Sequence, residues 1–443
     1  LGTVAEAQKR RGIGRHNRVL LSGAYGNGNF GDWALLEALL ETVRAVEGVD
    51  ISVLTSGRAE LPDRFQVSTL QSTSLRDRLR GLLWADTVIY GGGGLVNESP
   101  NAPLGLAPRL ILNILLPRLL GRRVVVYNVG VEKVETARGR DCIRRLLPLA
   151  DFLAVRDEQS RRRLADLGVP APRVRVGADP VLSAANMLPV AQSGKEAGQF
   201  RVGVNLCLWA NSQSSDEERA KFAAFLDALA AQIRALVGRT GCRLTGIVCV
   251  QGTPGDDMVA LRGLQDRLGT NIPMEVTDVS QCSVEEMVGL LSGLDFFVAT
   301  RFHAVLTAAM AGVPFFAISY SPKVGDLVRS LGLEESCFDP REEPVEKLGE
   351  RFDKAWTRRA EGVQRAQEAC QVLRRSLGLV QEELLGLLRS PAPRRRSLGG
   401  GVLQGLRISS ILLAFIIRYL LYRAFQRPHR TRPIAETPWI MER

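Results

Sequence analysis

The sequence predicts an α/β protein of two Rossmann-like domains facing one another across a cleft, followed by a basic and apolar tail helix. Three observations lead there. Short apolar runs alternate with helical segments along most of the 443 residues, a Gly-rich turn follows the first run, and a polar stretch interrupts the alternation near the middle. Alternating strands and helices imply parallel sheets covered on both faces, and the chain is long enough to bury two cores.

The first apolar run, Arg18–Ser22, ends in Gly23-Ala24-Tyr25-Gly26-Asn27-Gly28-Asn29-Phe30-Gly31-Asp32. A helical segment from Trp33 to Val46 follows, with apolar residues at Leu35, Leu36, Leu39, Leu40 and Val43. Strands are expected at Ile51–Leu54, Thr87–Tyr90, Val124–Val129 and Phe152–Val155. Asp179-Pro180 and Leu188–Gln199 read as the linker. The second series runs through a strand at Arg201–Asn205, a long helix over Ser215–Val237 and a strand at Leu244–Val250. It continues with a helix near Glu285–Gly293, a strand at Phe296–Ala299, a helix through Val305–Met310 and a strand at Pro314–Ile318. The expected organisation is a basic leader over 1–17, an N-terminal domain over 18–187, a C-terminal domain over 200–343, closing helices over 344–390 and a tail over 391–443.

A net charge of +11 raises the question of nucleic acid, and its location answers it. The tail from Pro391 to Arg443 holds ten arginines and two glutamates, so the rest of the chain carries only about +3. Phosphate-backbone binding needs a basic stripe on the folded body, so no nucleic-acid partner is expected. The tail also contains Ile408–Phe425, whose apolar run is shorter than the roughly 20 residues that span a bilayer and is broken by Arg418. It reads as an interfacial helix in contact with a membrane surface. The other reading docks it on the body or on a second copy, which leaves a homo-oligomer open. Seven dispersed cysteines without a C-x-x-C pair, and a leader without an apolar run, point to a cytoplasmic protein, peripheral on the inner face of the membrane if the tail binds there.

Candidate chemistry lies at the carboxyl ends of the strands. Gly26, Gly28 and Gly31 satisfy G-x-G-x-x-G, and glycines at a helix start let backbone N–H groups approach an anion. A dinucleotide site would also want an acidic residue at the end of the second strand, and Asp50 lies at the wrong end. Asp32 either serves the site or merely caps the helix that follows. Gly91-Gly92-Gly93-Gly94, with Asn97 just beyond, suits a floor where ligand meets backbone. Arg156 ends a strand, where its fork can hold a carboxylate or phosphate; the plain alternative is a surface pair with Asp157. Arg301 and His303 occupy the turn after Phe296–Ala299, and the other histidines, His16 and His429, lie in the leader and tail. His303 is therefore the one well-placed imidazole. Lys323 follows the next strand and adds positive charge. There is no H-x-x-x-H and no Cys/His cluster, so neither a metal nor a cofactor is expected.

The ordered set Gly26–Asp32, Val88–Asn97, Val155–Ser160, Gly177–Pro180 and Thr300–Tyr320 with Lys323 resembles the polysaccharide pyruvyl transferase family, over roughly residues 18–330. The resemblance implies a fold like that of GT-B glycosyltransferases. It also implies transfer of the enolpyruvyl unit of phosphoenolpyruvate to a sugar hydroxyl of a polysaccharide or lipid-linked glycan, as a ketal. By similarity, Arg301 and His303 match the catalytic segment, Arg156 the Arg-Asp pair, and Asp32 the acidic residue closing the Gly-rich loop. Gly28, Gly31, Gly92, Gly93, Gly94, Asn97 and Lys323 complete the expected donor site. Cys207 stands where family members often carry an arginine, which bears on donor placement or acceptor identity. The alternatives are a nucleotide-sugar glycosyltransferase of the same fold and an inactive, membrane-tethered homologue.

Overall fold

A computed structural model of the chain describes residues 17–57, 59–98, 106–184, 199–210, 214–252 and 255–391. The leader, most of the linker and the tail helix Ile408–Phe425 lie outside them. Among the described residues thirteen strands form two sheets, and the two-domain α/β fold is the one expected.

The N-terminal sheet orders its strands β3-β2-β1-β4-β5-β6-β7, all parallel. These are β1 (Asn17–Ser22), β2 (Val49–Thr55), β3 (Ser68–Gln71), β4 (Thr87–Gly91), β5 (Arg123–Val129), β6 (Phe152–Val155) and β7 (Arg175–Val176). The C-terminal sheet orders β10-β9-β8-β11-β12-β13, also parallel. Its strands are β8 (Arg201–Asn205), β9 (Arg243–Val248), β10 (Met274–Asp278), β11 (Phe296–Ala299), β12 (Phe315–Ile318) and β13 (Cys337–Phe338). The central strands are continuous apolar runs because helices cover both faces: every residue of β5, β6, β11 and β12 is buried.

Each sheet reverses its strand order once, between β1 and β4 and between β8 and β11. Adjacent βα connections leave the sheet in opposite directions there, which opens a crevice at the carboxyl ends of the strands. The helices that matter are α1 (Phe30–Arg44), α2 (Leu75–Trp84), α3 (Asp257–Leu268), α4 (Phe302–Ala311), α5 (Lys347–Thr357) and α6 (Arg359–Arg389). α1 begins three residues before the expected Trp33, because Asn29 is its N-cap and accepts from the Gly31 N–H at 2.9 Å. Asp32 thus sits inside the first turn and is not the cap, which corrects the plain reading of its role.

The closing helices divide between the domains. α5 packs on the C-terminal sheet, with Phe352 against Phe296 and Phe316. α6 crosses back to the N-terminal domain. Its Gln381 donates to Thr42, its Arg374 to the Leu182 carbonyl, and Arg123 of β5 donates to the Leu387 carbonyl near its end. One hydrophobic core runs from α1 through α4 to α6, so the two domains share buried surface.

Candidate active site

The Gly-rich turn after β1 is stapled across the domain boundary. Phe30 N–H donates to the Cys249 carbonyl at 2.9 Å, and Asn29 pairs with Val250 in an isolated bridge. The turn is tight because Gly26 and Gly28 adopt φ of +89° and +68°, a region that side chains disfavour. Gly31 serves close approach instead. A Cβ there would lie 2.1 Å from Nδ1 of His303, so the two domains meet at a glycine and an imidazole.

Between the two switch points lies a cavity of about 420 Å³, within the roughly 300–1,000 Å³ of small-molecule sites. Asp32, Gly31, Gly93, Gly94, Asn97, Arg156, Arg301, His303 and Lys323 all line it. Gly28 and Gly92 do not. Gly28 shapes the turn on the side of Ala59, and Gly92 adopts φ +77° where a Cβ would meet Leu35 at 3.3 Å. The run of four glycines therefore splits. Gly91 and Gly92 make room for Tyr127 and Leu35, while Gly93 and Gly94 face the cavity.

Arg156 is only 6% exposed and is no surface pair. Its Nε donates to Asp157 at 3.1 Å, and its guanidinium lies 4.4 Å from the ring centroid of Phe302, across the domain boundary. Arg301 caps α4 and is held by a buried network. Its Nε and one terminal nitrogen donate to Oδ1 of Asp257 at 2.9 and 2.7 Å, and that nitrogen also reaches the Gly255 carbonyl. Asp257, fully buried at the start of α3, accepts with its other oxygen from Asn205 and from the N–H groups of Cys249 and Val250. Asn205, at the end of β8, in turn accepts from the Arg301 N–H at 3.1 Å. Cys207 stands behind this arginine beside Gly255 and does not line the cavity. It adjoins the support of Arg301 rather than the ligand.

His303 points its Nε2 at Oδ2 of Asp179 at 3.6 Å, and neither atom has a hydrogen-bond partner among the described residues. Asp179 is 4% exposed and its other oxygen caps the turn Pro180–Ser183 through the Val181 N–H. Burial alone would raise its pKa, but His303, Arg156 and the Val181 N–H together outweigh it and hold the Asp179 carboxyl below the usual range. Asp32 behaves oppositely. Burial pushes its carboxyl up to about 6, against the side chain of Asn27 and the charges of His303, Lys323 and Arg301. Burial also lowers the pKa of Lys323, and the nearby Arg156 and Arg301 act in the same sense while Glu132 opposes them. Three cations, an imidazole and the carboxylates Asp32 and Glu132 thus converge on one cavity. Sequence reasoning missed Asp179, Glu132, Asn205 and Asp257. Only Asp179, within the quoted Gly177–Pro180, carried any signal.

Fold and site together define a two-domain architecture of the GT-B type, with a compact cationic pocket assembled from both switch points. The chain belongs to the polysaccharide pyruvyl transferase family, whose profile matches residues 29–322. Among curated proteins no sequence matches significantly. Solved structures share the fold at low identity. Anabaena Alr3699/HepE in complex with UDP-glucose is 14% identical with a TM-score of 0.53, covering 84% of this chain and 100% of that one. The UDP-GlcNAc 2-epimerase of Neisseria meningitidis bound to UDP-GlcNAc is 11% identical with a TM-score of 0.52, covering 83% and 100%. A glycosyltransferase from Rickettsia africae is 9% identical with a TM-score of 0.51, covering 85% and 98%.

Proposed function

We propose that this chain transfers the pyruvyl unit of phosphoenolpyruvate to a sugar diol of a polysaccharide or lipid-linked glycan, forming a ketal and releasing phosphate. The observation that carries the reading is the convergence of Arg156, Arg301 and Lys323 with His303 and Asp32 in one cavity of a member of this family. Phosphoenolpyruvate is a compact polyanion, and guanidinium forks suit both its carboxylate and its phosphate.

In this mechanism protonated His303, steadied by Asp179, gives its proton to the methylene carbon, which becomes the methyl group. The electron-poor carbon left behind is attacked by a sugar hydroxyl whose proton passes to Asp32. The bond to the phosphate oxygen then breaks while the arginines and Lys323 stabilise the departing charge. A second hydroxyl closes the ketal, and its proton leaves with the phosphate. With a pKa near 6, Asp32 is ionised at neutral pH and still basic enough to accept a proton.

Thermal unfolding in the presence of phosphoenolpyruvate, UDP-sugars or neither tests the assignment. Phosphoenolpyruvate at 100 times its Kd should add about 2.7 kcal/mol of stability. Stabilisation by UDP-sugars alone would favour a nucleotide-sugar glycosyltransferase instead. Near wild-type pyruvyl transfer by His303→Ala would overturn the role given to the imidazole.

A further inference from the structure

α2 packs on the sheet with Gly81 and Leu82 and leaves Leu75, Leu79 and Leu83 exposed at 45%, 38% and 56%. These positions repeat every four residues, so they form one apolar stripe along the outer face of the helix. Arg76 and Arg80 are exposed beside it and have no ion pair among the described residues. Such a leucine stripe edged by arginines has no role in the cleft or in either core, and contiguous exposed apolar surface marks a contact site.

We propose that this face of the N-terminal domain docks on an anionic lipid surface. Two observations select that occupant over the tail or a second copy. The last described residue, Pro391, accepts a hydrogen bond from Arg123, whose chain neighbour Arg122 donates to the Leu83 carbonyl. The tail therefore leaves from the same edge of the sheet at which the stripe ends, α6 and α2 covering opposite faces. Its sequence is itself arginine-rich, with Arg394, Arg395 and Arg396 ahead of the apolar Ile408–Phe425. Two like-charged apolar surfaces repel one another, and a second copy would face arginine with arginine. An anionic bilayer complements both at once. Among the described residues no helix is long and apolar enough to cross a membrane, so the contact is with the surface.

The test is co-sedimentation of the full chain with vesicles of phosphatidylglycerol mixed into phosphatidylcholine, against phosphatidylcholine alone. The wild-type chain should bind only the mixed vesicles. Removing Arg76 and Arg80 together (Arg76→Gln, Arg80→Gln) should weaken that binding roughly 25-fold, each arginine at an anionic surface contributing about fivefold. Leu79→Ser with Leu83→Ser should weaken it comparably, while stabilisation by phosphoenolpyruvate stays unchanged in both. If a double variant unfolds, Arg76→Gln alone should still show its fivefold loss. Wild-type binding by the variants would place all membrane contact in the tail and overturn the proposal. So would equal binding to uncharged vesicles, or a dimer that the variants convert to monomer.

Discussion

Replacing Gly31 by Ala adds one methyl group at the point where the two domains touch across the cleft. The new Cβ would lie 2.1 Å from Nδ1 of His303, with Cε1 and Cγ at 2.8 and 2.9 Å, whereas ordinary contact begins at 3.4 Å. The imidazole must therefore retreat by about 1.3 Å, or the domains must part by as much, and a 1 Å misplacement near a reacting centre costs roughly 100-fold in rate. Stability should change far less. Ala gains about 0.5–1 kcal/mol over Gly in a helix, and overpacking costs about 1–3 kcal/mol, so the net loss is at most about 2.5 kcal/mol. The assay is phosphate released from phosphoenolpyruvate against a panel of glycan acceptors, with thermal unfolding run in parallel. Gly28→Ala is the control. It strains a residue at φ +68° but meets only Ala59, at 3.7 Å, outside the cavity. A Gly31→Ala protein that keeps wild-type turnover, or a Gly28→Ala protein that loses as much, would refute the placement of the imidazole against the Gly-rich turn.

The remaining expectations follow from the buried carboxylates. Because burial raises the Asp32 pKa from 3.8 to about 6, the folded state disfavours its charge; the penalty, roughly 3 kcal/mol, is full above pH 6 and is relieved as pH falls towards 4. Asp32→Asn should therefore raise Tm at pH 7 while abolishing turnover, and wild-type turnover should fall as pH drops through about 6. Asp179→Asn should shift the pH profile of kcat by removing the charge opposite His303, with little change in phosphoenolpyruvate affinity; an unmoved profile would detach Asp179 from the imidazole. Asp257→Ala leaves the guanidinium of Arg301 without its buried partner and should destabilise the protein by about 3–5 kcal/mol, read by denaturant unfolding.

Strand-end logic found the side chains that stand in the crevices, because a parallel strand's carboxyl end and the residue after it can be read from an apolar run. Arg156 and Arg301 were legible for that reason, whereas Asp32 was singled out by its place closing the Gly-rich turn. Gly92 was not separable from Gly93, since only the folded cavity shows that Gly93 lines it and Gly92 does not. Asp179 sat in a stretch read as linker, and its place opposite His303 depends on how the domains pack, a contact between distant segments that no local pattern encodes. Asp257 and Asn205 escaped for a related cause. Their polar atoms serve Arg301 from other elements, and a supporting network leaves no spacing in the chain. The helix boundaries moved by a few residues where caps, such as Asn29, overrode the apolar pattern.

α6 gives the molecule a mechanical character. It returns from the C-terminal domain to the N-terminal one, where its Arg374 donates to the Leu182 carbonyl. The helix also carries α4 on its flank, where a Cβ on Gly312 would strike Gln367. The helix is thus a strut common to both walls of the cleft: the turn it holds at Leu182 opens with Asp179, the carboxylate opposite His303, so a change at α6 reaches the imidazole without touching the cavity.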